Sequence, residues 1–305
     1  MLAIGLRLAA MAMLSTMFML VKLASEAGVS LPELVFWRQA LSVPLLLGWL
    51  LATGRIGLLA TRRMGSHALR ATTGTAGLCC NLASATLLPL SMQTTLGFST
   101  PLFAVLMTAV VLRERVGPWR WAAVVLGFVG VLLVARPGGI HAPTLGIAAA
   151  LASGVIVAIV SFQIRDLSRT EVPVACVFWF AFYGALLAGG AMPFFARSHD
   201  AHAWLILAGV GISGAFAQLL LTSALRFGQV ATVVVMDYTA LIWATLYGWL
   251  IWDMLPAAAI WAGAPLIVAA GLIITWREHH LARRISPTSS LDEGALEESV
   301  DPNNA

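Results

Sequence analysis

Hydrophobic positions in this chain come in long blocks, not in the alternating or three-to-four spacing of a water-facing surface. A bilayer-crossing helix needs about 20 mostly apolar residues. Ten such blocks can be drawn, at 2–24, 34–53, 68–89, 91–112, 119–136, 144–164, 174–195, 203–225, 229–251 and 258–276. Helix is the predicted element in each, because a backbone in hydrocarbon must satisfy its own hydrogen bonds. Short polar turns separate the blocks. The longest, about 54–67, holds Arg55, Arg62, Arg63 and His67. Residues 281–305 are polar, with two prolines and no periodicity, and read as a disordered cytoplasmic tail.

Composition agrees with that pattern. Of the 305 residues, 60% are hydrophobic and 10% charged, against about 25% charged in a soluble domain. Such a chain cannot cover a wet surface, so an all-α integral membrane protein of ten transmembrane helices is expected. Residues 1–25 lack a small-residue cleavage site and read as a first span, not a removable signal. Most basic residues fall on the N-terminal side of the membrane, including Arg7, Arg55, Arg62, Arg63, Arg70, Arg113, Arg115 and Arg120. By the positive-inside bias both termini are cytoplasmic. Cys79, Cys80 and Cys176 all lie in apolar blocks and imply no disulfide framework.

The chain also echoes itself about 140 residues later. Gly5 and Gly146 begin comparable blocks. Val35-Phe36-Trp37 after Pro32 answers Val177-Phe178-Trp179 after Pro173, and Gly74-x-x-Gly77 answers Gly211-x-x-Gly214. Asn81 and Gln218 each lie four residues beyond their glycine pair. Glu114 finds Asp253, and Trp121 finds Trp261. The halves are 1–137, with blocks one to five, and 138–280, with blocks six to ten. Five is odd, so the second copy is inverted in the membrane. The turn at Arg113-Glu114-Arg115 keeps an acid but loses its arginines at Asp253, as inversion requires. Inverted repeats are a recurrent build for secondary transporters, with the substrate near the midplane between halves.

Pro101, Arg113-Glu114-Arg115, the Trp121 to Gly130 run with Gly127-Phe128-Val129-Gly130, Arg136-Pro137 and Phe36-Trp37-Arg38 together resemble the drug/metabolite transporter superfamily, specifically its EamA-type ten-helix members. The resemblance covers about residues 4–276. It implies two EamA repeats and a transporter of a small metabolite in a bacterial inner membrane, with export as its direction and protons as a coupling ion. Arg136-Pro137-Gly138 and Trp119-Arg120-Trp121 look like the branch that carries S-adenosylmethionine, riboflavin and opine-type metallophores. The second half departs from the family: Asp253 stands where glutamate is usual, and Pro265 is expected to interrupt the last helix.

Candidate chemistry lies singly within the spans. Asp237 falls near the centre of block nine, where a carboxylate costs about 2.5–3.5 kcal/mol on insertion scales. It reads as a proton-coupling group or a counter-charge to a substrate ammonium; the alternative is a structural ion pair. Lys22 and Arg38 are candidates for a substrate carboxylate or phosphate, or for pairing with Glu26 and Glu33. Asn81 and Gln218 could bind a polar ligand or glue helices together. Tyr238 and Trp243 are the aromatic candidates for a pocket. Glu114, among arginines, reads as a structural clamp between helices. Acid and cation together suit a zwitterionic, amino-acid-like substrate.

No glycine is followed by lysine, so there is no phosphate-binding loop. No nucleophile–base pair or metal set stands out, and no catalytic residue, cofactor or metal is expected. A membrane-embedded lipid-modifying enzyme would need clustered acids or histidines. The expected partners are a small-molecule substrate, the lipid bilayer and protons, with no nucleic acid; a homodimer is left open.

Overall fold

The computed structural model describes residues 2–110, 113, 116–135, 143–227 and 236–285. It is all-α, with no strand among the described residues. Helix occupies every one of the ten apolar blocks, but not as ten uniform rods. The elements are α1 (Leu2–Glu26), α2 (Leu31–Ala40), α3 (Ser42–Ala52), α4 (Met64–Leu87), α5 (Leu90–Gly97), α6 (Thr100–Val110), α7 (Pro118–Ala135), α8 (Thr144–Leu167), α9 (Pro173–Gly189), α10 (Met192–Phe195), α11 (Ala201–Phe227), α12 (Ala240–Trp252) and α13 (Ala258–Ile285). A 3-10 turn, Met236–Thr239, leads into α12. Among the described residues, seven stretches are long and apolar enough to cross a membrane.

Three blocks are broken, each just ahead of a proline. Block two divides at Leu41, three residues ahead of Pro44; block four divides at Phe98–Ser99, ahead of Pro101; block seven divides at Gly190–Ala191, ahead of Pro193. Proline has no N–H to return to the carbonyl four residues back. At the first two breaks, nearby hydroxyls bond the preceding turn instead. Ser42 Oγ donates to the Arg38 carbonyl at 2.9 Å, Thr100 Oγ1 to Gly97 at 2.9 Å, and Ser99 Oγ to Leu96 at 2.6 Å. Pro32 and Pro173 sit in the first turns of α2 and α9, where a missing N–H costs nothing.

Two sequence expectations are corrected. Pro265 does not interrupt the last helix: α13 runs through it to Ile285. The ring is on an exposed face, while the packed face, with Gly263, Ala264, Ile267 and Ala270, stays continuous. The helix also carries into the expected disordered tail, over residues 281–285. Glu114, with Arg115 and Arg136, lies outside the described residues.

Three pairings dominate the packing: α1 on α11, α4 on α8, and α7 on α13. The last is closest at two glycines. A Cβ on Gly130 would stand 2.8 Å from the Gly263 carbonyl oxygen, and one on Gly263 would stand 2.7 Å from that of Gly130. Only hydrogen fits at this crossing, so backbone meets backbone. Helix α2 packs on both α9 and α11, and α12 on α1 and α5. Large apolar side chains, among them Val125, Leu132, Leu145, Leu205, Ile242 and Trp261, stay exposed around the bundle. That is the surface of a multi-pass membrane protein, whose solvent is hydrocarbon.

Candidate functional site

Two groupings of charge lie inside the bundle and bear on a site. The first joins α1 to the turn before α12. Arg7 Nε donates to Asp237 Oδ1 at 2.5 Å and Arg7 Nη2 to Asp237 Oδ2 at 2.6 Å, a bidentate fork. Arg7 is 8% exposed, and its Nη1 also reaches the Leu221 carbonyl of α11 at 3.5 Å. Asp237 is thus in the 3-10 turn that leads into α12, and its partner is an arginine two turns into α1. Next to it, Tyr238 meets Phe98 edge-to-face at 4.9 Å, beside the break between α5 and α6. The tyrosine also lies close over Gly271 of α13, where a Cβ would fall 1.9 Å from its hydroxyl. Further along α12, Trp243 tilts against Tyr247 at 6.2 Å. The Tyr247 hydroxyl bonds Thr16 of α1 at 2.8 Å.

The second place joins α2, α4, α9 and α11. Arg38 and Arg70 are 4% and 7% exposed. Both guanidinium groups approach the ring of Phe180, at 5.7 Å and 4.1 Å from its centroid. Arg38 Nη1 donates to Gln39 Oε1 at 2.9 Å. Arg38 Nε, Arg70 Nε and Arg70 Nη1, with Gln39 Nε2 and Thr75 Oγ1, are buried without a hydrogen-bond partner. Three glycines line these side chains closely. A Cβ on Gly74 would lie 3.2 Å from Arg70 Nη1, one on Gly184 2.2 Å from Gln39 Nε2, and one on Gly214 3.4 Å from Arg38 Nε.

The remaining candidates lie apart from these two groups. Lys22 is about four turns from Arg7 on α1, or about 22 Å along its axis. Its Nζ donates to the Leu88 carbonyl at 2.8 Å, beyond the end of α4, and faces the Trp252 ring at 5.7 Å. Lys22 and Asp237 therefore do not face one small zwitterion together in this structure. Glu26 accepts from Trp252 Nε1 at 2.7 Å. Glu33 does not pair with Arg38. It accepts from the Ser30 and Arg197 backbone N–H groups at 2.9 and 3.0 Å and meets His199 Nε2 at 2.9 Å, which ties the start of α2 to the loop before α11. Asn81 Oδ1 accepts from Gln93 Nε2 at 2.8 Å, linking α4 to α5. Gln218 is half-buried on α11. His199 and His202 are not part of any metal-sized cluster among the described residues.

Sequence reasoning missed Arg7, Arg70 and Phe180. By sequence position both arginines read as charges of the cytoplasmic side, because each is close to the end of a block. The available signal was that each is already inside its helix: Arg7 on the second turn of α1 and Arg70 on the second turn of α4.

The EamA-like transporter family model matches residues 1–136 and again 144–276. The chain belongs to the EamA-like transporter family. It is thereby a member of the drug/metabolite transporter superfamily. The chain is similar to the riboflavin transporter of Vibrio cholerae, 28% identical over 266 residues, covering 85% of this chain and 87% of that protein. It is also similar to the pseudopaline exporter CntI of Pseudomonas aeruginosa, 28% identical over 258 residues, with 83% and 89% covered. A protein of known crystal structure with 23% identity shares the fold, with a TM-score of 0.59 over 91% of this EamA-family chain and 98% of its own.

Proposed function

We propose that this EamA-family chain is a secondary transporter that moves a small polar or zwitterionic metabolite across a bacterial inner membrane by alternating access, in the direction of export. The observation that carries the reading is the Arg7–Asp237 pair. Two opposite charges are drawn into a membrane protein, joined bidentately, and mounted on elements far apart in the chain, α1 and the 3-10 turn that leads into α12. Arg7 is buried and Asp237 partly so, and such a pair is costly to make; removing one partner costs less than the about 3–5 kcal/mol of a fully buried pair. A carboxylate that is held when ionised and released when protonated suits proton coupling. The pair then acts as a latch between α1 and α12, and Asp237 is its titrating half.

The two-repeat organisation, 1–137 and 138–280, is part of this reading. The double match of the family model supports it. So does the packing. Exchanging blocks one to five with blocks six to ten turns the α1–α11 pairing into the α8–α4 pairing and returns α7–α13 to itself. Arg113 and Asp253, about 140 residues apart, both take the left-handed backbone, with φ of 52° and 51°. The substrate path runs between the halves, with both termini on the cytoplasmic side and Glu114 as a clamp at that face. Tyr238, Trp243, Asn81 and Gln218 are substrate-facing in the states that open this interface.

A second reading, import of a larger metabolite such as riboflavin or S-adenosylmethionine, is favoured by the similarity to the Vibrio cholerae riboflavin transporter. Metabolite profiles of cells with and without the protein separate the two. Accumulation of one metabolite inside cells lacking it supports export. Failure to take up supplied riboflavin in those cells supports import and contradicts export.

A further inference from the structure

We infer that Arg38 and Arg70 form a buried receptor for an oxyanion, a carboxylate or a phosphate, with Phe180 as its floor. The inference deepens the transport reading and rests on it for the claim that the anion belongs to the substrate.

Two cations in such surroundings need an explanation. A lone buried guanidinium is expensive, and two on one ring repel each other. Buried arginine is ordinarily satisfied by a carboxylate or by several carbonyls. Among the described residues neither forms a salt bridge. Arg38 has a single amide oxygen, that of Gln39, and Arg70 Nε and Nη1 have no acceptor. The nearby acid on α9's leading loop, Glu171, is otherwise engaged. It accepts from Thr61 Oγ1 at 2.6 Å and lies 3.6 Å from His67 Nε2. The ring face of Phe180 offsets part of the cost by a cation–π contact with each arginine, but supplies no acceptor for an N–H.

The donors left over match one chemistry. Arg38 Nε, Arg70 Nε and Nη1, Gln39 Nε2 and Thr75 Oγ1 can all donate, and all are buried without a partner. A carboxylate or phosphate presents two or three oxygens and accepts bidentately from guanidinium groups. A cationic or neutral apolar ligand would leave every one of these donors unmet. The sequence echo adds a reason for the asymmetry. Val35-Phe36-Trp37-Arg38 aligns with Val177-Phe178-Trp179-Phe180, so the second half supplies an aromatic face where the first supplies a cation. The charges stand at a junction of the two halves, α2 and α4 from one, α9 and α11 from the other. Arg38 is also one turn before the break at Leu41, and its own carbonyl is held by Ser42. Discontinuous helices at a repeat interface are where transporters bind substrate and ions.

The anion could come from the substrate or from a lipid headgroup, and the test separates them. The full-length protein is placed in nanodiscs of phosphatidylcholine. Its melting temperature is measured in sodium chloride, acetate or inorganic phosphate at one ionic strength. Wild type should melt higher in acetate or phosphate than in chloride, by about 2 °C or more when the site is saturated. The shift should vanish in Arg38→Met and in Arg70→Met and persist in Arg55→Gln, an exposed arginine. In chloride, each Met variant should melt at or above wild type, because removing an unpaired buried cation relieves repulsion; a merely structural arginine would lower it. A shift obtained instead from phosphatidylglycerol in the disc, and lost with the same two arginines, supports the receptor and assigns it a headgroup. Absence of any oxyanion shift in wild type, or its survival in the double Met variant, overturns the inference. Should the Met variants fail to fold, wild type alone decides. Phosphate must slow phenylglyoxal modification of Arg38 and Arg70 relative to Arg55, and equal rates overturn the inference. An arginine-dependent shift in a protein that carries nothing across liposomes would sink the transport reading and leave the anion site standing.

Discussion

Asp237 and Lys22 show how differently two charges in apolar sequence can behave. The sequence marks both by the same sign, a charge where hydrocarbon is expected. Only Asp237 meets another buried charge, Arg7. Lys22 satisfies the Leu88 carbonyl beyond the end of a helix. Their predicted responses therefore differ. Asp237→Asn leaves Arg7 buried without its counter-charge, so both stability and transport should fall, with transport reduced tenfold or more in a liposome exchange assay. The double variant Arg7→Met/Asp237→Leu replaces the ion pair by packing and should regain the melting temperature. If the pair is a latch, transport stays lost in the double variant; recovered transport would show a structural brace only. Lys22→Met gives up a hydrogen bond worth about 1 kcal/mol and should keep exchange within about two-fold of wild type. A tenfold loss in that variant would place Lys22 on the substrate path. What the sequence could not give was the partner: Arg7 and Asp237 are 230 residues apart and meet only through the α1–α11 and α1–α12 packing.

At the scale of elements, helix existence was legible almost throughout, because block length and apolarity decide it. The breaks were less so. Pro44, Pro101 and Pro193 announced them, yet Pro265 is chemically the same signal and makes none. The difference is what lies around the ring. Pro44 and Pro265 are both exposed; but Pro265 lies in a helix packed continuously against α7, whereas hydroxyls of Ser42, Ser99 and Thr100 bond the turns near Pro44 and Pro101. The Gly130–Gly263 crossing is the most exacting contact of that α7–α13 pair. Gly130→Val forces side-chain carbon against a carbonyl oxygen that cannot move aside. It should cost about 1–3 kcal/mol or more and lower the melting temperature by several degrees in detergent. Gly5→Val, where a Cβ meets nothing within 4 Å, is the matched control and should melt like wild type.

For the whole molecule, family and fold class were readable from a handful of residues together with the length of the apolar blocks. The charge distribution was not. Arg7 and Arg70 look like orientation signals by position and are buried in the bundle. Whether a chain of this family moves substrate through such an interior is settled most directly by liposome efflux. Purified protein is reconstituted into liposomes loaded with a bacterial small-molecule extract, and the external medium is followed by mass spectrometry. The account predicts that a polar or zwitterionic metabolite leaves liposomes holding wild type much faster than protein-free liposomes or those holding Asp237→Asn. Efflux no faster than from protein-free liposomes, or equal efflux through Asp237→Asn, would contradict it.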